Sequence, residues 1–413
     1  MKRINVILVG LLVVLLCTCS ESTGPGNDMK DSDERAGLVQ NELIEANIMF
    51  ALDVFKKTIE HEPNNNISIS PISLAIALSM TYNGAQEETA EQMAQTLHYQ
   101  DICIDVLNKQ YSHLIQSLQT ADTAIQLNLA NSIWIRNSFP VLTDFIDTIE
   151  NNYFAEIISA PFDQTTVTDI NDWIEDKTNG KITEMIQNIS YYEQMFLINA
   201  LYFKGNWKYT FDPEETENEH FYMTGDSIIT VQMMKSSGKD YTYLFDDHFS
   251  LCRMPYGRDV LAMYILLPNY NYTIEEILDE FDTNAWLMWK NSLATLPDED
   301  EYEYFEFHLP KFKIEYEKKF NDILADLGMQ IPFTVAANFG KMTPEILWIN
   351  YVKQKTFIEV NEEGTEAAAA TVVSMASGIS PSFIVDRPFI YVLCDDRTDT
   401  ILFMGKVINP QYE

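Results

Sequence analysis

Apolar residues recur at helical spacing early in the chain. Ile44, Ile48, Ala51, Leu52, Phe55 and Ile59 predict one amphipathic helix. Ser70-Pro71 reads as a helix start, with Ser70 as cap and Pro71 at the first helical position, and the helix runs to about Asn83-Gly84. Glu88 to Leu97 predicts another helix, and Ile170 to Thr178, closed by Asn179-Gly180, a further one. Later segments read as strands. Gln194 to Lys204 is apolar and aromatic, which suits a strand buried on both faces. Leu261 to Leu267, ending at Pro268, is similar. Tyr304 to Ile314 alternates Phe305, Phe307 and Leu309 with Glu306 and His308, and Ile401 to Val407 is short and apolar. Helices first and strands later predict an α+β domain with antiparallel sheets.

The N-terminus breaks this pattern. Met1-Lys2-Arg3 is basic, and Val6 to Leu16 is apolar apart from Gly10. That run is too short to cross a membrane and has the length of a signal-peptide core. Leu16-Cys17-Thr18-Cys19 loosely fits a bacterial lipobox with Cys19 as the lipidated residue; Cys17 is the alternative, and an ordinary cleaved signal a third reading. Each predicts export: to the cell surface or periplasm as a lipoprotein, or to the extracellular space. Residues 1–19 are therefore read as signal peptide, 20–40 as a flexible polar tether containing Gly24-Pro25-Gly26, and 41–413 as one domain without internal repeats.

The chain has 413 residues, 46% of them hydrophobic, enough for a large core. Its net charge of -35 argues against nucleic acid and against docking on anionic lipid through charge. A self-repelling monomer is expected, with a membrane reached only through the N-terminal lipid. Beyond the leader only Cys103, Cys252 and Cys394 remain, too few and too scattered for a disulfide framework.

Enzyme signatures are missing. No two of the six histidines stand at zinc-motif spacing. The sequence has no nucleophile elbow, phosphate loop, dinucleotide fingerprint or CxxC pair. Neither catalysis nor a cofactor or metal is expected.

One segment stands out: Glu362-Glu363-Gly364-Thr365-Glu366-Ala367-Ala368-Ala369-Ala370-Thr371. Propensity alone would make it an Ala-rich helix. It resembles the hinge of inhibitory serpins, and other motifs follow in the family's order. These are Asn66 to Ser73, Phe203-Lys204-Gly205-Asn206-Trp207 with Phe211, His308 to Phe312, Asp386-Arg387-Pro388-Phe389, and Phe403 to Pro410. The resemblance implies the serpin fold: three β-sheets, about eight to nine helices and an exposed reactive-centre loop. It also implies a suicide inhibitor whose loop, once attacked by a target protease, inserts into the main sheet and traps the covalent acyl-enzyme. Trp207, Lys311 and Glu362 would lie where insertion begins, with Lys311 and Glu362 as an ion pair. Ser70, Ser73 and Asn199 would lie where the sheet opens further down. Many serpins carry a histidine where this chain has Gln354, which keeps an amide donor but does not titrate.

Insertion places demands on the loop. If Thr365 points inward, so do Ala367, Ala369, Thr371, Val373 and Met375, because side chains alternate along a strand. None is charged, and no proline interrupts Thr365 to Ile379. Counting from Glu362 by the family's spacing puts the reactive bond between Gly378 and Ile379; counting back from Pro388 gives Ser377, and Met375 is the bulkiest nearby alternative. No Arg or Lys occurs from Glu362 to Asp386. Elastase-like or subtilisin-like serine proteases are the expected targets, with papain-like cysteine proteases second. A non-inhibitory serpin-fold binding or structural protein is the alternative.

Overall fold

The computed structural model describes residues 33–225, 227–238, 241–295, 305–364 and 381–412. The leader, Cys17 and Cys19, the tether up to residue 32, the hinge from Thr365 to Thr371 and the candidate bond residues Met375, Ser377, Gly378 and Ile379 lie outside these.

The chain opens with α1 (Asn41–His61), whose apolar face carries the predicted spacing. β1 (Ile67–Ile69) leads into α2 (Pro71–Tyr82), where the Ser70 hydroxyl accepts from the Ser73 N–H. Then come α3 (Glu87–Thr96), α4 (Ile104–Gln119), β2 (Ile125–Arg136), α5 (Thr143–Tyr153) and β3 (Glu156–Ala160). α6 (Gln164–Lys177) begins earlier than its apolar spacing indicates, because Asp163 caps it by accepting from the Thr165 and Thr166 amides. It ends as predicted, with Asn179 and Gly180 both at positive φ.

β4 (Met195–Gly205), β5 (Glu217–Tyr222), β6 (Ile228–Gly238), β7 (Thr242–Phe245), β8 (Phe249–Tyr256) and β9 (Leu261–Pro268) follow. After α7 (Ile274–Glu280) and α8 (Thr283–Asn291) come β10 (Phe305–Pro310), β11 (Phe312–Lys319), α9 (Asn321–Asp326), β12 (Lys353–Val360), β13 (Ser382–Ile384), β14 (Phe389–Asp395) and β15 (Thr400–Val407). Helices and strands thus interleave, rather than falling into an early helical and a late strand half. The predicted strand Tyr304 to Ile314 is two strands. The chain leaves one sheet at Pro310 and enters another at Phe312, and the apolar positions shift there from odd (Phe305, Phe307, Leu309) to even (Phe312, Ile314, Tyr316).

A six-stranded sheet, β1-β15-β14-β9-β8-β7, packs under α1 and α2. A four-stranded sheet, β13-β10-β6-β5, carries β13 on its edge, parallel to β10. The third sheet is split into ladders β3-β2-β4 and β11-β12. β4 lies between two hydrophobic regions. Leu201 and Phe203 face the main core, whereas Phe196 and Ile198 join a smaller cluster with Val167, Ile170 and Ile174 of α6. On β12, Ile358 and Val360 enter the main core.

Candidate functional site: a split sheet held at its upper end

β4 and β12 each end their ladder, and their free edges flank a cavity of about 330 Å³. Its wall takes Met195 to Leu201 from one side and Ile349 to Thr356 from the other, with Leu74, Leu78 and Met342 behind. This corrects the expectation of a strand buried on both faces. Met195, Leu197 and Asn199 are only half-buried, because they line the slot.

The two ladders meet at the upper end, where the chain leaves β12. Asn361 and Gly364 exchange backbone bonds in a tight turn, and the Asn361 carboxamide oxygen accepts from the Glu363 N–H at 3.1 Å. Gly364 also bridges Asn206 in antiparallel sense. Only glycine fits there: φ is +128°, and a Cβ would lie 2.3 Å from the Gly205 carbonyl oxygen. The Trp207 N–H donates to the Glu363 carbonyl (3.0 Å), and the Phe211 N–H to the Glu362 carbonyl (2.9 Å). Trp207 is buried, stacks on Tyr256 at 4.2 Å and donates its indole N–H to the Asn361 carbonyl.

Lys311 and Glu362 form the ion pair that the resemblance implies, at 3.0 Å, both largely buried. Thr216 donates to the same carboxylate at 2.8 Å, and the Lys311 ammonium sits over the Tyr412 ring at 4.3 Å. Burial pushes the Glu362 carboxyl up, but its own backbone amide, Lys311 and Thr216 outweigh this and hold it below the ordinary glutamate value.

Halfway down, Gln354 uses both ends of its amide on one residue. Its oxygen accepts from the Ser70 N–H (2.9 Å), and its nitrogen donates to the Ser70 carbonyl (2.8 Å). The Ser70 hydroxyl donates to the Leu402 carbonyl (2.7 Å) and lies 2.9 Å from the Ser73 hydroxyl. Asn199 stands on the opposite wall. Its nitrogen donates to the Asn131 side chain at 2.7 Å, while its buried oxygen has no hydrogen-bond partner. Ser70, Ser73, Asn199 and Gln354 therefore all line the slot, but Asn199 bonds away from the other three. At the lower end the Asn350 amide donates to Glu193 (2.9 Å), so the ladders are tied at both ends; the Lys181–Glu359 pair (3.8 Å) lies beside the last residues of β12.

Sequence reasoning missed Asn361, Thr216, Tyr256, Tyr412 and Asn131. The composition Asn-Glu-Glu-Gly was a turn signal for Asn361; the others are brought in by tertiary packing alone. No helix among the described residues is long and apolar enough to cross a membrane.

The family profile described as Serpin (serine protease inhibitor) matches residues 45–410. An uncharacterized serpin-like protein of Methanosarcina acetivorans is 31% identical over the whole of both chains. The leukocyte elastase inhibitor of Sus scrofa is 33% identical over 89% of this chain and all of its own. Among solved structures, the thermophilic serpin tengpin in its native state superposes with a TM-score of 0.81 at 31% identity, covering 90% of this chain and 95% of its own. Human thyroxine-binding globulin in its thyroxine complex reaches the same TM-score at 26% identity, covering 90% of this chain and 99% of its own.

Proposed function

The chain belongs to the serpin family, and from that premise we propose that it is an irreversible inhibitor of elastase-like or subtilisin-like serine proteases. The bait begins at Gly364, and cleavage at Gly378–Ile379, or after Ser377, lets its N-terminal part enter the slot as a new strand. The observation that carries this reading is the slot, with two free strand edges at the point where the bait departs.

The register at Gly364 supports it. Stepping residue for residue from the antiparallel contact Asn206–Gly364 pairs Ala367 with Phe203, Ala369 with Leu201, Thr371 with Asn199 and Met375 with Met195. Stepping from Asn361–Gly364 pairs the same residues with Ile358, Thr356, Gln354 and Asn350. Both flanks thus assign odd-numbered bait residues to the core face. The small Ala367 falls between the large Phe203 and Ile358, and the bulkier Val373 and Met375 fall where the cavity is lined by Leu197 and Val352, and by Met195 and Asn350. The Thr371 hydroxyl falls between Gln354 and the unpartnered Asn199 oxygen. An inserted stretch of about 14 residues spans roughly 45 Å, and about 1 kcal/mol net for each new hydrogen bond places the inserted state on the order of 10 kcal/mol below the intact one. The intact fold is then a kinetic trap.

The leader supports export, with Cys19 (or Cys17) as lipid anchor and the inhibitor acting as a monomer outside the cytoplasm. Labelled palmitate or an N-terminal mass tests that part. For the mechanism, mixing with pancreatic elastase or subtilisin yields a covalent band that survives boiling in detergent. Thr365→Arg puts a charge on the core face and turns the inhibitor into a substrate. Undiminished stoichiometric inhibition by Thr365→Arg rules out insertion.

The alternative, a non-inhibitory binding protein, has thyroxine-binding globulin as a fold neighbour. It predicts clean cleavage without a covalent band.

A further inference from the structure

β5 and β6 form a hairpin whose outer face has no assigned role. Directly opposed residues of an antiparallel pair share a face. Asn218 opposes Gln232, His220 opposes Thr230, and Tyr222 opposes Ile228. All six are exposed, while Phe221 and Val231 are buried on the other side. Tyr222 is 46% and Ile228 55% exposed, too much for core residues. The face also lacks Asp, Glu, Lys and Arg, in a chain with 62 acidic and 27 basic residues. Interface centres are depleted in charge and enriched in tyrosine in this way.

Its position fixes the partner. The sheet order is β13-β10-β6-β5, and β13 is the stem through which the bait re-enters the body. The Tyr222 N–H donates to the Asp386 carbonyl at 2.7 Å, just past that stem. Asp386 accepts from the hydroxyl of Tyr270, which is 75% exposed, and Arg387 lies over the Tyr270 ring at 4.0 Å. No more than about 24 Å of extended chain separates Ile379 from Asp386. An interface of standard size covers about 800 Å² of each partner, so a protease seated on the bait reaches this far.

We propose that the outer face of the β5–β6 hairpin, with Tyr222 and Ile228 at its centre and Tyr270 near its edge, is a docking surface for the body of the target protease. It recognises an uncharged, apolar-aromatic patch beside that enzyme's active-site cleft, on the side binding the residues after the cut bond. The proposal rests on the inhibitory reading above and adds a second contact that speeds capture without entering the slot.

The test compares Tyr222→Glu, Ile228→Glu and Thr230→Glu with the unaltered full chain, using pancreatic elastase and subtilisin. Association rate, inhibition stoichiometry and melting temperature are read for each. Tyr222→Glu and Ile228→Glu are expected to slow association about tenfold, with stoichiometry and melting temperature unchanged; Thr230→Glu at the rim does less. Unchanged association with formation of the covalent complex overturns the docking surface and leaves the inhibitory reading standing. No covalent complex from the unaltered chain overturns both. A dimer by sedimentation that Ile228→Glu dissociates assigns the face to a second copy and also overturns the proposal.

Discussion

Every residue of β9, β14 and β15 is buried, and each of these strands is paired on both edges. β4 and β12 lie in the same domain, yet each has one paired and one open edge, and their burial alternates over much of their length. The first region is finished: its backbone bonds are made and its side chains touch neighbours on all sides. The second withholds a strand's worth of hydrogen bonds and a cavity, and ties the gap shut only at its ends. The difference locates stored free energy in this molecule, because an unmade ladder between two formed edges can still be filled.

The largest expected effect tests that stored energy. Cutting the bait near Gly378 should raise the melting temperature by at least about 10 °C, the size expected for an added strand worth on the order of 10 kcal/mol. No rise on scanning calorimetry breaks the comparison.

Next come matched truncations. Leu393→Ala in the finished sheet should cost about 3 kcal/mol, since its neighbours cannot collapse onto the hole. Leu197→Ala on the slot wall should cost about 1 kcal/mol or less, because its side chain already borders a cavity. Equal costs in denaturant titrations would mean the regions do not differ in packing.

Gly364→Ala acts on the upper tie. The added methyl meets the Gly205 carbonyl in a left-handed backbone conformation, so about 1–3 kcal/mol of stability should be lost and spontaneous conversion to an inactive inserted form should quicken. Inhibitory activity followed over days at 37 °C reads this directly.

The smallest effect is electrostatic. The Glu362 carboxyl titrates below its ordinary value of 4.5. Its contribution is therefore full above that value and is lost as pH falls through the lower folded value. As pH falls below the ordinary glutamate range the Lys311 clamp weakens and loss of activity accelerates, whereas Glu362→Gln flattens that part of the profile. An identical acid profile for both proteins would remove the pair from the account.

Features written in local sequence were legible. Ser70-Pro71 marks the start of α2 because a cap and a fixed φ act within one turn, and Asn179-Gly180 marks the end of α6 for the same reason. The Lys311–Glu362 pair and the meeting of Ser70, Ser73 and Gln354 came from family resemblance, since no local rule joins residues so far apart in the chain. β4 was read as doubly buried because apolar composition reports affinity for a core and is blind to an open neighbouring edge. The break at Lys311 was legible but passed over: the apolar positions slip from odd, up to Leu309, to even, from Phe312, as the chain passes from one sheet to another. α4 and α5 were not anticipated at all. Their helical faces mix polar residues such as Asn108 and Tyr153, which are buried in side-chain hydrogen bonds rather than exposed.

The central claim is that the slot receives the bait while the protease is still attached. Its most direct test is the mass of the C-terminal fragment, freed in denaturant because it carries β14 and β15, after the full chain has met elastase. The account predicts a C-terminal fragment beginning at Ile379, or at Gly378 if the cut follows Ser377, appearing in step with a covalent complex of the protease and the remaining chain. The same fragment accompanied only by free, active elastase would contradict it.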